Sequence, residues 1–465
     1  MNIGAVVLAA GQGTRMRSAL PKVVHPLAGR PMVAWVLDAL EAAGAASTVV
    51  VVGHGAEAVR EALPPGVAVA VQERQRGTGD AARVGLEALD PACDTVIVAC
   101  GDTPLLDPEL LERLVEAQAS EEDRAATVVT GVLADAGSYG RVVRGRDGRV
   151  ERIVEARDAS ADELAIGEFN AGLYVADREA LTRALDGLDA GNAQGELYLT
   201  DAIGALAGPV APLVSEDPEV ASGVNDRVDL AASEGAIQRR LREALMRDGV
   251  TMPDPSTVHL DASVTVGADT VLLPGTHLRG RTAIAGGCTI GPDAVITDSV
   301  IGPGSTVVSA HVLESELEEG CRVGPFAYVR PGCRLERGAR AGSFVELKNT
   351  VLGPGARVPH LSYVGDATVG EGTNIGAGNI TANYDGFTKH RTRIGARVKT
   401  GSDCVFVAPV SVGDDAMTGA GSIITDDVPD GALGIARARQ TVIEGFTAKA
   451  TARARAADDA KGDGA

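Results

Sequence analysis

The sequence predicts an α/β, Rossmann-like domain followed by a parallel β-helix built from hexapeptide repeats. Alternating strand-like and helix-like patterns run to about residue 228, and an apolar period of six begins near residue 264. A single amphipathic stretch joins the two. At 465 residues the chain is too long for one ordinary core, so several domains are expected. The boundaries read as 1–228 for the α/β domain, 229–250 for a linker helix and 251–445 for the β-helix. Residues 446–465, Ala-rich and charged, read as a disordered tail.

In the first part, "IGAVVLAA", "STVVVVGH", "VAVAVQ", "DTVIVACGD" and "AATVVTGVL" are short apolar runs of strand length. Helical patterns at 31–43, 55–63, 78–89 and 107–118 separate them. That alternation predicts a mostly parallel sheet covered by helices, with ligands at the C-terminal strand ends. Residues 229–248 read as one amphipathic connector helix, and the prolines of "MPDP" stop it.

Beyond residue 264 apolar residues recur at Val266, Leu272, Leu278, Ile284, Ile290 and Ile296. The series slips by one to Ile301, Val307 and Leu313, then runs from Leu317 through Val323, Val329, Leu335, Ala341 and Leu347. It continues through Leu352, Val358, Val364, Val369 and Ile375, and returns at Ile394, Thr400, Phe406, Val412, Thr418 and Ile424. A period of six fits neither an α-helix nor a hairpin array; it fits a prism with one short strand and one turn per hexapeptide. Such a prism is packed solid, so a pocket on it needs a protruding loop or a neighbouring subunit. "TANYDGFTKHRT", residues 381–392, breaks the period and supplies a loop.

Net charge is −20, and residues 1–250 hold −16 of it. With no basic stripe or basic amphipathic helix, neither nucleic acid nor a membrane surface is an expected partner. The six cysteines include no C-x-x-C pair, which fits reduced thiols in a cytoplasm rather than a zinc site. No 18-residue apolar run or signal sequence is expected to direct the chain elsewhere.

"AAGQGTRM" follows the first strand. It has Met16 where a dinucleotide fingerprint needs glycine, and it lacks the Gly-Lys-Ser/Thr of a P-loop. Its backbone N–H groups can still cradle phosphate, with Gly11 and Gly13 permitting close approach. Arg15 and Lys22 add two cations to an acidic domain, and Lys22 is the sole lysine before residue 348. In a chain with six lysines and 37 arginines, that choice favours a compact point charge. Asp102 ends the strand "TVIVACGD", where its carboxylate emerges at the ligand-binding edge or caps the next helix.

In order along the chain stand "LAAGQGTRM…LPK", "QRGTGDA" (75–81), "CGDTPLL" (100–106), "YGRVV" (139–143), "IVEARDA" (153–159), "FNAGLY" (169–174), "GELYLTD" (195–201) and "GVNDR" (223–227). This series resembles the sugar-1-phosphate nucleotidyltransferases. With the β-helix it is similar, from about residue 3 to 444, to the bacterial bifunctional family of N-acetylglucosamine-1-phosphate uridylyltransferase and glucosamine-1-phosphate acetyltransferase. The resemblance implies that Leu8, Ala9, Ala10, Gly11, Gly13, Gln72, Gly77, Thr78 and Gly101 contact the nucleotide, and that Gly140, Glu155 and Asn170 hold the amino sugar. It implies Mg²⁺ on Asp102 and Asn225, with Arg15 and Lys22 neutralising phosphates. One departure is Cys100, where close relatives usually carry tyrosine.

On the β-helix, Arg330, Lys348, His360, Tyr363, Asn374, Asn383 and Tyr384 form a polar set, and 12- and 18-residue separations suggest stacking on adjacent coils. "RPG…VELK…HLSYVGD…NIGAGNITANYDG" resembles the acetyltransferase half of the same family. The resemblance implies that Arg330, Lys348, Tyr363 and Asn374 bind glucosamine-1-phosphate, with His360 as general base. It places Asn383, Tyr384, Ala377, Ser402, Ala420 and Arg437 at acetyl-CoA. Lys399 and Arg439 depart from the family pattern, which favours an aromatic and a proline there.

The resemblance thus implies an enzyme that acetylates glucosamine-1-phosphate and couples the product to UMP, with Mg²⁺ as cofactor and UTP and acetyl-CoA as co-substrates. It also implies a left-handed coil, a homotrimer, a cytoplasmic location and a role in peptidoglycan synthesis. The alternatives are a monofunctional nucleotidyltransferase with a regulatory β-helix, and a non-catalytic scaffold.

Overall fold

The computed structural model describes residues 2–217, 219 and 223–462, which fall into two compact units. The first runs to Gly249 and takes in Asp254–Val264 and Leu278–Gly280.

The main sheet of the first unit contains β1 (Ile3–Ala9), β2 (Ser47–Val52), β3 (Ala68–Val71), β4 (Thr95–Cys100) and β5 (Ala126–Val132). A hairpin of β6 (Arg141–Arg144) and β7 (Val150–Val154) leads to β8 (Glu168–Asp177) and then β9 (Val210–Val214). The spatial order is β9-β5-β8-β4-β1-β2-β3, with β6 and β7 attached beside β8. Only β8 runs against its neighbours in this path, so the sheet is mostly parallel, as expected.

Both faces are covered, which is why the strands read as unbroken apolar runs rather than alternating ones. On β2, Val49 and Val51 face one core with Ala81, Ala82 and Leu86 of α3 (Thr78–Ala88). Val50 and Val52 face the other, against Val33, Val36 and Leu40 of α1 (Met32–Ala42). Gly85 lets α3 lie hard against the sheet, because a Cβ there would stand 2.3 Å from Val6 Cγ1.

The helix expected as a connector spans Arg227–Arg247. Ala236 and Ile237 are buried against Met16, Leu27, Met32 and Val224. It is therefore a wall of the first unit, reaching the segment just after the glycine turn. Its amphipathic pattern reflects that burial rather than a free span.

The second unit is a parallel β-helix with three strand stacks. One climbs Thr265–Val266, Ala283–Ile284, Val300–Ile301, Glu316–Leu317, Arg334–Leu335 and Val351–Leu352, each parallel to the next. The inward side chains are the predicted hexapeptide positions, from Leu272 to Ile424, with two differences. Val266 is only partly buried, and the inward residue after Val307 is Val312 (0% exposed), not Leu313. The coil is one residue short there: His311 pairs with Tyr328 and Val300 with Glu316, so the period drops below 18.

Small residues two positions before the inward ones fill the corners. Cys288, Cys321, Cys333 and Cys404 are all buried and unbridged. Burial pushes the Cys321 and Cys333 thiols up to about 11, so they are structural rather than reactive. Val369 pairs with Ile394, a separation of 25 residues, so the extra chain leaves the prism as the loop around 383–391. The tail expected to be disordered is instead a helix at Phe446–Gly462. Alanine and arginine favour helix locally, yet its described side chains through Asp458 are all exposed.

Candidate active sites

Along the chain β1 is followed by β2 and β3 on one side, and β4 then crosses to the other. The C-terminal ends of β1 and β4, where Leu8 pairs with Cys100, are thus a topological switch point, the place where open α/β sheets bind ligands. A cavity of about 510 Å³ opens there. Leu8, Ala9, Ala10, Gly11, Gly13, Lys22, Gln72, Gly77, Thr78, Cys100 and Asp102 all line it. Gly101 donates to Leu8 O at 2.9 Å and ties the two strand ends together. Gly13 has φ +59° and leaves room for Lys22, whose Cβ a substituent there would meet at 2.7 Å.

Charge is concentrated on one side. Lys22 and Asp102 form an ion pair, and Arg15 Nη2 donates to Asn225 Oδ1 at 3.0 Å. Val224 N–H donates to Asp102 O at 2.8 Å, joining the strand end to the segment before the long helix. Asn225 N–H donates to Asp229 Oδ2 at 2.8 Å. Arg227 reaches back to Met16 O at 3.3 Å and to His25 Nδ1 at 3.4 Å. Four residues far apart in sequence therefore meet as two cations on two oxygen ligands.

Gly140, Glu155 and Asn170 are also brought together, but they open elsewhere. Asn170 N–H donates to Gly140 O at 2.9 Å, and Asn170 Nδ2 to Tyr174 OH at 2.6 Å. Glu155 accepts from Thr200 Oγ1 at 3.0 Å and lines a second cavity of about 520 Å³ with Asp158, Tyr198 and Asp201. Burial, with the charges of Asp201 and Asp158, raises the Glu155 carboxyl above its ordinary range against the Thr200 hydrogen bond. Cys100 stands between the clusters: burial and the Asp102 and Glu155 charges push its thiol up to about 12, opposed by Lys22.

In the second unit a cationic cluster crosses adjacent coils. Val329 pairs with Leu347, which sets Arg330 beside Lys348, and Lys348 pairs with Gly365. Lys348 Nζ lies 3.1 Å from Asp366 Oδ2, and Asn349 donates to Asp366 Oδ1 at 2.7 Å. Asn383 also donates to Asp366, and its Nδ2 is 3.5 Å from Tyr363 OH. Arg330 Nη1 donates to Glu346 Oε1 at 2.8 Å. The loop brings Lys389 over this group, where Lys348 and Arg330 lower the pKa of its ammonium. Sequence reasoning missed Lys389, although its position in the period-breaking loop was the available signal. It also missed Asp366, which lay inside a quoted motif.

Residues 5–172 match the family model of the MobA-like NTP transferase domain. A bifunctional protein GlmU of Mycolicibacterium gilvum is 49% identical over 456 residues, covering 96% of this chain and 91% of that relative. One from Corynebacterium aurimucosum is 46% identical, covering 96% and 94%, and one from Heliobacterium modesticaldum is 48% identical, covering 95% and 97%. The chain belongs to the bifunctional GlmU family.

Against the GlmU pattern, not every expected residue converges. Lys348 stacks on Arg330, but the 12-residue step from Lys348 to His360 does not stack, because 12 residues carry the chain to another face. His360 ends the strand Arg357–His360, pairs with Ser343, and is exposed. Asn374 bridges Arg357 and Lys399 on that same stack, so it lies on a different face from the Asp366 cluster. Ala377, Ser402 and Ala420 form a ladder at a third place: Asp403 donates to Ala377 O at 2.7 Å, and Gly421 to Ser402 O at 2.8 Å. Tyr384 OH donates to Gly386 O within the loop, and Arg437 is exposed.

Proposed function

We propose that the second unit transfers an acetyl group from acetyl-CoA to the amine of glucosamine-1-phosphate. The first unit then joins the resulting N-acetylglucosamine-1-phosphate to UMP from UTP, releasing pyrophosphate. The observation that carries this reading is that each unit holds its own phosphate-suited cation set, Arg15 with Lys22 in one and Arg330, Lys348 and Lys389 in the other.

In the first unit the nucleotide occupies the switch-point cavity, with Gln72, Gly77 and Thr78 at the base and the glycine turn at the phosphates. The sugar phosphate oxygen attacks the α-phosphorus in line, the bond to the bridging oxygen breaks, and pyrophosphate leaves. Lys22 and Arg15 neutralise charge on the phosphoryl oxygens, and Gly140, Glu155 and Asn170 position the amino sugar. Asp102 and Asn225 fit Mg²⁺: a carboxylate and an amide oxygen held together by Val224 are hard donors, and Mg²⁺ characteristically takes few protein ligands beside substrate phosphates. When bound, the ion supplies further charge neutralisation at those phosphates.

In the second unit Arg330, Lys348 and Lys389 take the phosphate of glucosamine-1-phosphate, with Tyr363 and Asn374 completing the sugar contacts. His360 accepts a proton from the amine as its nitrogen attacks the thioester carbonyl, and the coenzyme leaves as thiol. Asn383 and Tyr384 flank the acyl group, and Ala377, Ser402, Ala420 and Arg437 receive the coenzyme.

A homotrimer gives this prism the second wall that the coenzyme needs. Support comes from an uncovered apolar ridge on successive coils: Phe326 and Phe344 stack at 5.2 Å, each about 60% exposed, with Leu361 above them. Among the described residues no helix is long and apolar enough to cross a membrane, in keeping with cytoplasmic synthesis of a cell-wall precursor.

Product analysis tests the whole reading. Purified protein with glucosamine-1-phosphate, acetyl-CoA, UTP and Mg²⁺ should yield UDP-N-acetylglucosamine, coenzyme A thiol and pyrophosphate. Omitting acetyl-CoA should stop the sequence, and N-acetylglucosamine-1-phosphate should restore it. No thiol release from the intact chain would refute the acetyltransferase half.

A further inference from the structure

Gln72 has been placed at the base of the nucleotide, yet a glutamine amide can present either a donor or an acceptor. Here its orientation is fixed. Gln72 is 4% exposed, and its Nε2 donates to Gly77 O at 3.1 Å and to Asp80 Oδ2 at 2.9 Å. Both partners are acceptors, so turning the amide over would set its oxygen against two other oxygens. With both N–H groups taken, what Gln72 offers to the cavity it lines is Oε1, an acceptor.

Asp80 makes this arrangement durable. It is 3% exposed and lies in the first turn of α3. Arg76 Nη2 and Arg83 Nη2 both bind its Oδ1, at 2.7 and 2.8 Å, leaving Oδ2 for Gln72. Burial acts to raise its pKa, but hydrogen bonds from Arg83, Gln72 and Arg76 outweigh it, so the net shift is downward and the carboxylate stays ionised.

We propose that Asp80 is a specificity-determining positioning residue: by holding the Gln72 amide with its oxygen outward, it selects a pyrimidine carrying hydrogen on N3. Uracil has that donor, whereas N3 of cytosine is a bare acceptor that would oppose Oε1. Unpaired polar contacts of this kind discriminate strongly in a buried site. The inference rests on the reading that this cavity takes UTP.

The test compares kcat/KM of uridylyl transfer for UTP, CTP and 3-methyl-UTP in the full-length protein. Wild type should favour UTP over both others by about a hundredfold or more. Asp80→Asn, whose amide can instead donate to Gln72, should lower the UTP-to-CTP ratio about tenfold, and Asp80→Glu should restore much of it. Arg76→Gln, at a largely exposed residue, should shift the ratio in the same direction without endangering the fold. Acetyl transfer should be unchanged throughout. If wild type does not distinguish 3-methyl-UTP from UTP, the placement of Gln72 at the base fails, and this inference with it. If wild type distinguishes them but Asp80→Asn and Arg76→Gln both keep the wild-type UTP-to-CTP ratio, the role of Asp80 is overturned.

Discussion

Lys22 and Asp102 are ion-paired in the first unit's cavity, so the cation suited to phosphate rests against the carboxylate suited to metal. Arg15 and Asn225 repeat the relationship beside them. Each charge is kept satisfied until a ligand carrying both phosphate and metal separates the pair. Removing one partner should therefore harm the reaction and also leave the other mispaired. Lys22→Met and Asp102→Ala are each expected to lower uridylyl transfer on the order of a hundredfold or more. Asp102→Ala should also weaken the dependence of pyrophosphate release on Mg²⁺ concentration. An Asp102→Ala protein with wild-type Mg²⁺ dependence would remove Asp102 from the metal site.

His360→Ala should abolish acetyl transfer while uridylyl transfer from N-acetylglucosamine-1-phosphate stays near wild type. The imidazole lies in the second unit, exposed at a strand end, and contributes nothing to the core of the first. A loss of about a hundredfold or more in thiol release is the expected scale for a general base. Parallel loss of both activities would mean that His360 acts on the fold.

The architecture was legible because each half obeys one period. Val49 to Val52 announce a sheet covered on both sides, and the hexapeptide residues announce the prism. What the period could not give was register across a shortened coil, so Leu313 was chosen over Val312 although both are apolar. Spacing likewise placed His360 with Lys348, because a multiple of six looks like stacking until the three faces are counted. Lys389 was hidden because the loop carrying it has no period at all. The roles of Gly140, Glu155 and Asn170 came from family motifs, and no local pattern in the chain would have joined residues from β8, the hairpin and the loop after it.

Asp366 should make the β-helix acid-sensitive. Burial would raise its pKa, but hydrogen bonds from Asn349, Lys348 and Asn383 hold it below the ordinary 3.8. A depressed folded pKa contributes stability that is present above the unfolded value and lost as pH falls through the folded one. The loss therefore falls below about pH 4. Asp366→Asn should cost about 1–3 kcal/mol at pH 7 by breaking charge-assisted bonds, and its urea midpoint should fall less than that of wild type between pH 5 and pH 3. Equal pH slopes in both proteins would show that Asp366 is not the sensor.

Leu347 is completely buried one coil below Val364 and beside Arg330 and Lys348. Leu347→Ala should destabilise the second unit by about 2–5 kcal/mol, because a stacked prism has little freedom to close a cavity. Coupling to function is expected in one direction only: the glucosamine-1-phosphate KM should rise as the cation pair loosens, while uridylyl transfer is unaffected. Urea denaturation followed by both assays checks this.

The terminal helix offers the opposite case. Phe446–Gly462 is regular in structure, yet every described side chain along it is exposed, so its helicity rests on local propensity and not on packing. Alanine and arginine in "TAKATARARAADDAKG" supply that propensity. An isolated helix of this length is marginal in water, so it should exchange its amide hydrogens near the rate of an unfolded chain. Deleting residues 446–465 should leave the unfolding temperature within about 1 °C of wild type, since no buried apolar surface is lost. Neither activity should change in steady-state assays. A drop of several degrees, or strong protection in hydrogen exchange, would show that the helix has a binding face in the assembled protein.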